Sequence, residues 1–283
     1  MVKKKTPAVP LPDSDLAKER IDPAQMRTEG LLREGRFGDM RLCALTITQE
    51  ASQRLGRPAG RYISLDFSPY LLFAEETAEA LCRALSAVLV FFLSPLPSRV
   101  LIAGLGNRRL TADAYGALTA EGITATAALP KEAGALGLLP PVRTAVYVPD
   151  VMARTGIDSV QSVCAAARLA EADALIAIDA LATATRENLL SVLEITDTGT
   201  VPGGGVKQGK EALSRAALGI PVIAIGLPTV VRADAAHFIV PRDLETGVAE
   251  LAGITARAIE LALSGNAPPP PFSLEELFLK EKS

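Results

Sequence analysis

The chain has 283 residues, enough to bury a large core in one or two domains, and 49% of them are hydrophobic. Aromatic residues make up only 4%, Trp is absent and the formal net charge is −3, which excludes a nucleic-acid surface, with its basic stripes and stacking rings, as the main business. A single histidine, His237, and the absence of any GxSxG turn exclude an HExxH zinc site and leave little for a Ser-His or Cys-His nucleophile.

Residues 1–26 are rich in Lys, Pro and Asp, with a helical patch near Asp15 to Arg20 and no hydrophobic period; they read as a mobile N-terminal arm. Lys3-Lys4-Lys5 is followed by Pro and Asp instead of an apolar run, so no secretory signal is expected. Two strands are predicted at Arg41–Thr48 and Arg61–Phe67, around a turn at Gly56–Gly60. Glu75–Leu93 reads as a helix with Leu81, Leu85, Val88 and Phe92 on one side. Its most apolar part, Ala84 to Leu93, is far shorter than the about twenty residues that cross a bilayer, so no membrane contact is expected. A buried strand follows at Val100–Ala103, then the turn Gly104-Leu105-Gly106-Asn107. Thr111 reads as an N-cap with Asp113 in the first helical turn. Further strands are predicted at Ala145–Val148, at Ala174–Ile178 ending on Asp179, and at Val222–Ile225. Helices are predicted at Asp158–Ala170, within Ala180–Leu193, at Lys210–Leu218, from Thr229 to Ala236 and at Glu245–Leu263. Asn266 to Pro271 is a proline run, and Phe272 to Ser283 a charged tail.

Alternating strands and helices from residue 98 to 263 predict an α/β fold, a mostly parallel sheet with helices on both faces. The economical division is an arm (1–26), one α/β domain (27–265) and a tail (266–283). Cys43, Cys82 and Cys164 are scattered, with no CxxC spacing, which suits reduced thiols in a cytoplasmic protein.

Two constellations carry chemistry. Gly104-Leu105-Gly106 after a strand invites a dinucleotide site, but Arg109 stands where a third glycine is needed and no ribose-binding acid follows; tight turning is the better use of these glycines. Asp113 and Asp179 each follow a buried strand on the edge where α/β sites are built. Two close carboxylates push one pKa up, leaving an acid and a base, able to activate water directly or through a metal. The plain alternative makes Asp113 a first-turn helix acid and Asp179 a cap. Asp150 and Asp197 compete by the same position. The stretch from Thr196 to Gly205, with Asp197, Thr198, Gly199, Gly203 and Gly204, is either an anion nest or a loop bordering a groove, with Lys207 and Lys210 nearby.

Taken together, GLGN at Gly104–Asn107, TADAYG at Thr111–Gly116, VMARTGIDS at Val151–Ser159, ALIAIDALAT at Ala174–Thr183, ITDTGTVPGGGV at Ile195–Val206 and LGIPVIAIGLPTVV at Leu218–Val231 resemble the germination protease of spore-forming bacteria. The resemblance covers roughly residues 98–235, with a weaker extension at Arg27-Thr28-Glu29 and Gly60-Arg61-Tyr62. It implies a fold similar to hydrogenase maturation endopeptidases and an endopeptidase of small acid-soluble spore proteins, with catalytic aspartates falling on Asp113 and Asp179. It also implies a cytoplasmic homotetramer made as a zymogen, whose propeptide by position would be the residues before Arg27. Asn107 and the Gly104–Gly106 turn would shape the pocket, and the Asp197–Gly205 loop would border the substrate. A divalent metal at Asp113 and Asp179 stays open, and would be oxygen-liganded. The chain departs from the family pattern at Glu29-Gly30, Ala112, Asp150, Ala153 and Gly204, and in its short C-terminal region. Two rival readings are a silent paralogue that binds spore proteins or a partner protease, and a small-molecule α/β enzyme using the glycine turns for phosphate.

Overall fold

The computed structural model describes residues 14–37, 39–67, 75–129, 140–203, 211–232, 237–267 and 274. Its strands are β1 (Leu32–Phe37), β2 (Met40–Ile47), β3 (Gly60–Asp66), β4 (Arg99–Gly104), β5 (Arg143–Tyr147), β6 (Ala174–Thr183), β7 (Val192–Thr196), β8 (Val222–Arg232) and β9 (Phe238–Ile239). The helices are α1 (Pro23–Thr28), α2 (Gln49–Leu55), α3 (Glu75–Phe92), α4 (Tyr115–Glu121), α5 (Met152–Thr155), α6 (Ser159–Leu169), α7 (Arg215–Leu218) and α8 (Leu244–Leu263).

The strands form one sheet in the order β1-β2-β3-β7-β8-β6-β4-β5, with β9 on β8. The α/β class and helices on both faces are as the alternation predicts, but the sheet is mixed instead of mostly parallel. β5, β4, β6 and β8 run parallel, as crossover helices require. β1, β2, β3 and β7 are antiparallel to their neighbours.

Alternation along the strands separates two faces. Ala174, Ile176 and Ile178 of β6 belong to a large core with α3, α4 and α8. Leu175 and Ala177 face the other way, against Val160, Val163 and Ala167 of α6. At the β1–β3 end a separate small core on that second face joins Leu45 and Ile47 to Ala17, Met26 and Ala51. Between the two small cores no helix of the described residues packs on this face, and a groove floored by β7, β8 and the end of β6 is bordered by Ser14 and Asp15.

Several local expectations yield to this packing. Ala180–Leu193 does not form a helix: β6 runs on to Thr183, paired with β8 through a bulge between Leu181 and Ala182, and only Arg186–Asn188 makes a 3₁₀ turn. Likewise the helix expected from Thr229 to Ala236 is strand as far as Arg232, where β8 ends, and residues 233–236 lie outside the described residues. Of the helix expected at Lys210–Leu218, Lys210 lies outside the described residues and the described part is helical only over Arg215–Leu218, capped by the Ser214 side chain. Sequence reading passed over β1 and α2; α2 starts on Thr48, whose hydroxyl oxygen accepts from the Ala51 N–H, and stops at Gly56 with φ 63°. From residue 14 the arm is packed, not mobile: Leu16 and Ala17 are fully buried and Met26 is 1% exposed. Among the described residues no helix is long and apolar enough to cross a membrane, and the three cysteines are unbridged.

The tightest packing sets α4 on the ends of β4 and β6. A Cβ on Gly116 would lie 2.2 Å from the Ile178 carbonyl oxygen and 2.5 Å from that of Leu105. A Cβ on Gly104 would lie 2.4 Å from the Gly116 carbonyl oxygen. These contacts are with backbone that cannot rotate away. Gly116→Ala is therefore expected to destabilise the fold by at least about 2 kcal/mol, read as a fall in thermal midpoint of roughly 4 °C or more.

Candidate active site

Asp113 closes a 3₁₀ turn, Thr111–Asp113, directly before α4. Thr111 is not a cap; the turn has no side-chain cap hydrogen bond. The residues that hold Asp113 come instead from the glycine turn after β4. Gly106 adopts φ 92°, and a Cβ there would stand 2.1 Å from the Asp113 carbonyl oxygen and 2.8 Å from its Oδ1. The Asn107 N–H donates to Asp113 Oδ2 at 2.8 Å. The carboxyl is half-buried, and burial pushes its pKa up; the Asn107 N–H pulls it back, and the negative charge of Asp150 pushes it up further.

Asp179 lies mid-strand in β6, level with Gly226 of β8, and is 7% exposed. Its Oδ1 accepts the Ala180 N–H at 3.0 Å. Asp113 and Asp179 line one cleft of about 130 Å³, whose walls include Gly106, Asp158, Ser159 and Gly203. One cleft thus takes in both acids that sequence position singled out, although Asp179 lies within β6 and not at its end. Asp179 also lines a second, larger space of about 330 Å³, the groove between the two small cores, with Tyr62, Glu194, Thr198 and Gly226. One carboxylate therefore stands at the junction of a cleft and a groove.

The other expected site residues divide by what they touch. Gly104 is consumed by packing under α4, and Gly106 by its approach to Asp113, so neither offers a phosphate cradle. The Asn107 side chain accepts from the Arg109 N–H at 3.0 Å and stiffens the turn. Asp197 belongs to neither cavity wall: its Oδ1 accepts the Arg61 N–H and its Oδ2 the Arg61 Nε, both at 2.8 Å. That pin holds the following loop. Thr198 hydrogen-bonds Thr196 and Tyr62, and Gly199, at φ 81°, abuts the Leu213 carbonyl; both line the groove. Gly203 borders both spaces. Gly204, Lys207 and Lys210 lie outside the described residues. The competitor Asp150 is engaged by Arg154 Nη1 at 2.9 Å.

Sequence reading missed Glu194 and Glu211. Glu211 lines the cleft. Glu194, on the groove floor, is 5% exposed; burial raises its pKa to about 7, with Arg57, the Ala17 N–H and Lys18 pulling down and Asp15 pushing up. An acid inside the apolar run Val192–Ile195 was the available signal, since a lone carboxylate in a buried strand needs a reason. Among the described residues no group of three or more His, Cys, Asp or Glu side chains is placed to hold a metal ion. Asp158 and Glu211 line the same cleft as the two aspartates, but no three of these acids converge on one point.

The germination protease family model matches residues 13–246, which include both aspartates, the glycine turns and the pinned loop. This chain belongs to the germination protease family. It is 34% identical over 210 residues to the germination protease of Bacillus cytotoxicus, covering 72% of this chain and 56% of that protein. Against the germination protease of Bacillus cereus it is 32% identical over 226 residues, covering 77% and 61%. The chain therefore spans little more than half the length of these curated relatives. Among solved structures, the nickel–iron hydrogenase maturation protease HycI of Thermococcus kodakarensis aligns over 61% of this chain and 99% of that one, at 18% identity and a TM-score of 0.39, a similarity too slight to bear on the reaction.

The raised pKa of Asp113 makes a stability claim. A carboxyl whose folded pKa lies above its unfolded value stabilises the fold at acid pH, and that contribution is lost as pH rises through the folded value. Asp113→Asn, which keeps an oxygen for the Asn107 N–H and removes the charge, is expected to raise the thermal midpoint at pH 7 by about 1–4 °C. The gap should close as pH falls towards 4, followed by calorimetry across that range.

Proposed function

We propose that this chain is an endopeptidase of small acid-soluble spore proteins in which Asp113 and Asp179 activate water for peptide hydrolysis. The observation that carries the reading is their meeting in one cleft at the mouth of a groove. Burial raises the pKa of Asp113, which favours it as the proton donor of the pair, with Asp179 as the base. Asp179 takes a proton from water as the oxygen attacks the scissile carbonyl carbon; Asp113 gives its proton to the amide nitrogen as the C–N bond breaks. The products are an acid and an amine, and a solvent proton exchange restores the pair. The groove suits an extended chain, whose backbone could run over the strip between the two small cores and past Asp179.

The same family supports a cytoplasmic homotetramer of the forespore or spore core, made in a latent form. Ser14 and Asp15 line the groove beside Asp179, which favours the arm as the covering segment. A cut before Arg27 would fall inside α1, next to the buried Met26. The residues before Arg27 that the resemblance implies as a propeptide include the groove-lining Ser14 and Asp15. A silent paralogue would keep this cover permanently.

Purified Asp113→Asn and Asp179→Asn variants, shown to be folded, are expected to lose at least about a hundredfold in cleavage of small acid-soluble spore proteins. Retained activity in either variant rejects the mechanism. An inactive wild-type chain that still binds those proteins selects the silent paralogue.

A further inference from the structure

Three hydrogen bonds hold the turn that carries Asp113 from within its own loop. The Asp113 N–H donates to the Leu110 carbonyl at 2.7 Å and the Ala114 N–H to the Thr111 carbonyl at 3.3 Å. The Asn107 N–H donates to Asp113 Oδ2 at 2.8 Å. None of the three reaches the sheet on which Asp179 stands, and neither the turn nor α4 has a side-chain cap.

The link to the sheet comes from Thr229. Its hydroxyl donates at 2.6 Å to the carbonyl of Ala112, the residue directly before Asp113, and Thr229 is 1% exposed. In β8 it is the extra residue of the bulge. Leu181 of β6 pairs with Pro228 and Ala182 with Val230, which leaves Thr229 with no opposite in β6. Bulges of this kind re-aim a side chain and recur beside active sites. Pro228 has no N–H to give, but its carbonyl accepts the Leu190 N–H at 2.9 Å, which anchors the strand just before the bulge. Asp179 is level with Gly226, three residues earlier on β8. One strand therefore sets both acids, Asp179 through its pairing and Asp113 through a single hydroxyl.

We propose that Thr229 is a positioning residue that fixes the Asp113 carboxyl against Asp179 through the Ala112 carbonyl. A buried carbonyl that loses its donor is costly to leave unpaired, and the turn recovers that cost by moving out to water. Asp113 moves with it, because one peptide unit joins it to Ala112. The seat of Gly116 on Ile178 is untouched, so the acids part while the fold stays. A proton donor shifted in this way is out of reach of the leaving nitrogen when the C–N bond breaks, which lowers kcat and leaves substrate binding nearly as it was. The kinetic consequence rests on the reading of Asp113 as proton donor, whereas the hold on its carboxyl does not.

The test sets Thr229→Val, which keeps the shape and loses the donor, beside Thr229→Ser, which keeps the donor and loses a methyl group. Carboxyl-carbon NMR of the full chain follows Asp113, its signal assigned by its loss in Asp113→Asn. Burial is the largest cause of the raised pKa of this group, so its titration should move down towards the ordinary aspartate range in Thr229→Val and stay in place in Thr229→Ser. Cleavage of small acid-soluble spore proteins should lose about tenfold in kcat in Thr229→Val, with KM changed by less than about twofold, and Thr229→Ser should return to within about threefold of the wild type. An unmoved titration in Thr229→Val would overturn the proposal. So would a loss carried by KM alone, or a serine variant that behaves like the valine one. Should Thr229→Val not fold, Thr229→Ala takes its place under the same expectations; failure of both to fold would make the hydroxyl a support of the whole fold and would also overturn the proposal. A titration that moves as expected in a chain that cleaves nothing would leave the positioning role standing and reject the protease reading alone.

Discussion

The site depends on the seating of Gly116 against the carbonyl oxygen of Ile178. At that contact the first turn of α4 lies directly on the backbone of β6, one residue before Asp179. The Leu105 N–H donates to the same Ile178 oxygen at 2.8 Å, so the glycine turn after β4, the start of α4 and the end of the buried part of β6 meet at one atom. Asp113 stands three residues before Gly116 and Asp179 one residue after Ile178. Their encounter is thus a consequence of backbone contact. A side chain on Gly104 or Gly116 would lift the helix and part the acids, which is why small residues are needed where a phosphate-binding turn would otherwise be suspected.

A second constraint acts across the sheet. Asp179, Gly226 and Glu194 occupy one cross-strand row on β6, β8 and β7, and residues in one row point to the same face. That face is the one with two separate small cores. Had a helix spanned the strip between them, both acids would have been sealed in apolar surroundings at a cost of several kcal/mol each. The gap between the cores leaves Asp179 on the groove instead, while Glu194 lies beneath the N-terminal segment, whose Ala17 N–H it accepts. The loop after β7 walls this groove because Arg61 pins Asp197 while its guanidinium lies over the rings of Phe91 and Phe92, 5.0 and 5.1 Å from their centroids. An acid that looked catalytic by position thus acts as a tether.

What could be read in the sequence follows from where local signals and tertiary packing agree. Val100–Ala103, Ala174–Ile178 and Val222–Ile225 are short apolar runs ending at polar or glycine residues, and each is the buried start of a strand. Glu75–Leu93 has the helical period and an unbroken apolar side, and it folds as read. The failures lie where a neighbour decides. Ala180–Leu193 carries helix formers, yet its first residues stay extended because β8 offers a continuous partner and the arm supplies both a donor and an acceptor to Ala182. Asp113 and Asp179 were legible because their strands are. Asp197 could not be told from them, since its partner Arg61 is far off in sequence and no periodicity reveals a salt bridge.

Glu194 shows the same limit from the other side. Within the run Val192–Ile195 it occupies a position that alternation assigns to the face away from the large core, and a sequence reader would place it in water. The structure leaves it on that face but buries it, because Leu16 and Ala17, from the opposite end of the chain, lie over it. Apolar burial of the segment and ionisation of the acid therefore compete for the same site. Leu16 and Ala17 gain by leaving water, by roughly the 0.8 kcal/mol per methylene that such burial brings. An ionised carboxylate underneath opposes that gain with a desolvation term of similar or larger size. The two terms oppose each other at Glu194, whereas Glu19 fixes the neighbouring stretch of the same segment through its many hydrogen bonds.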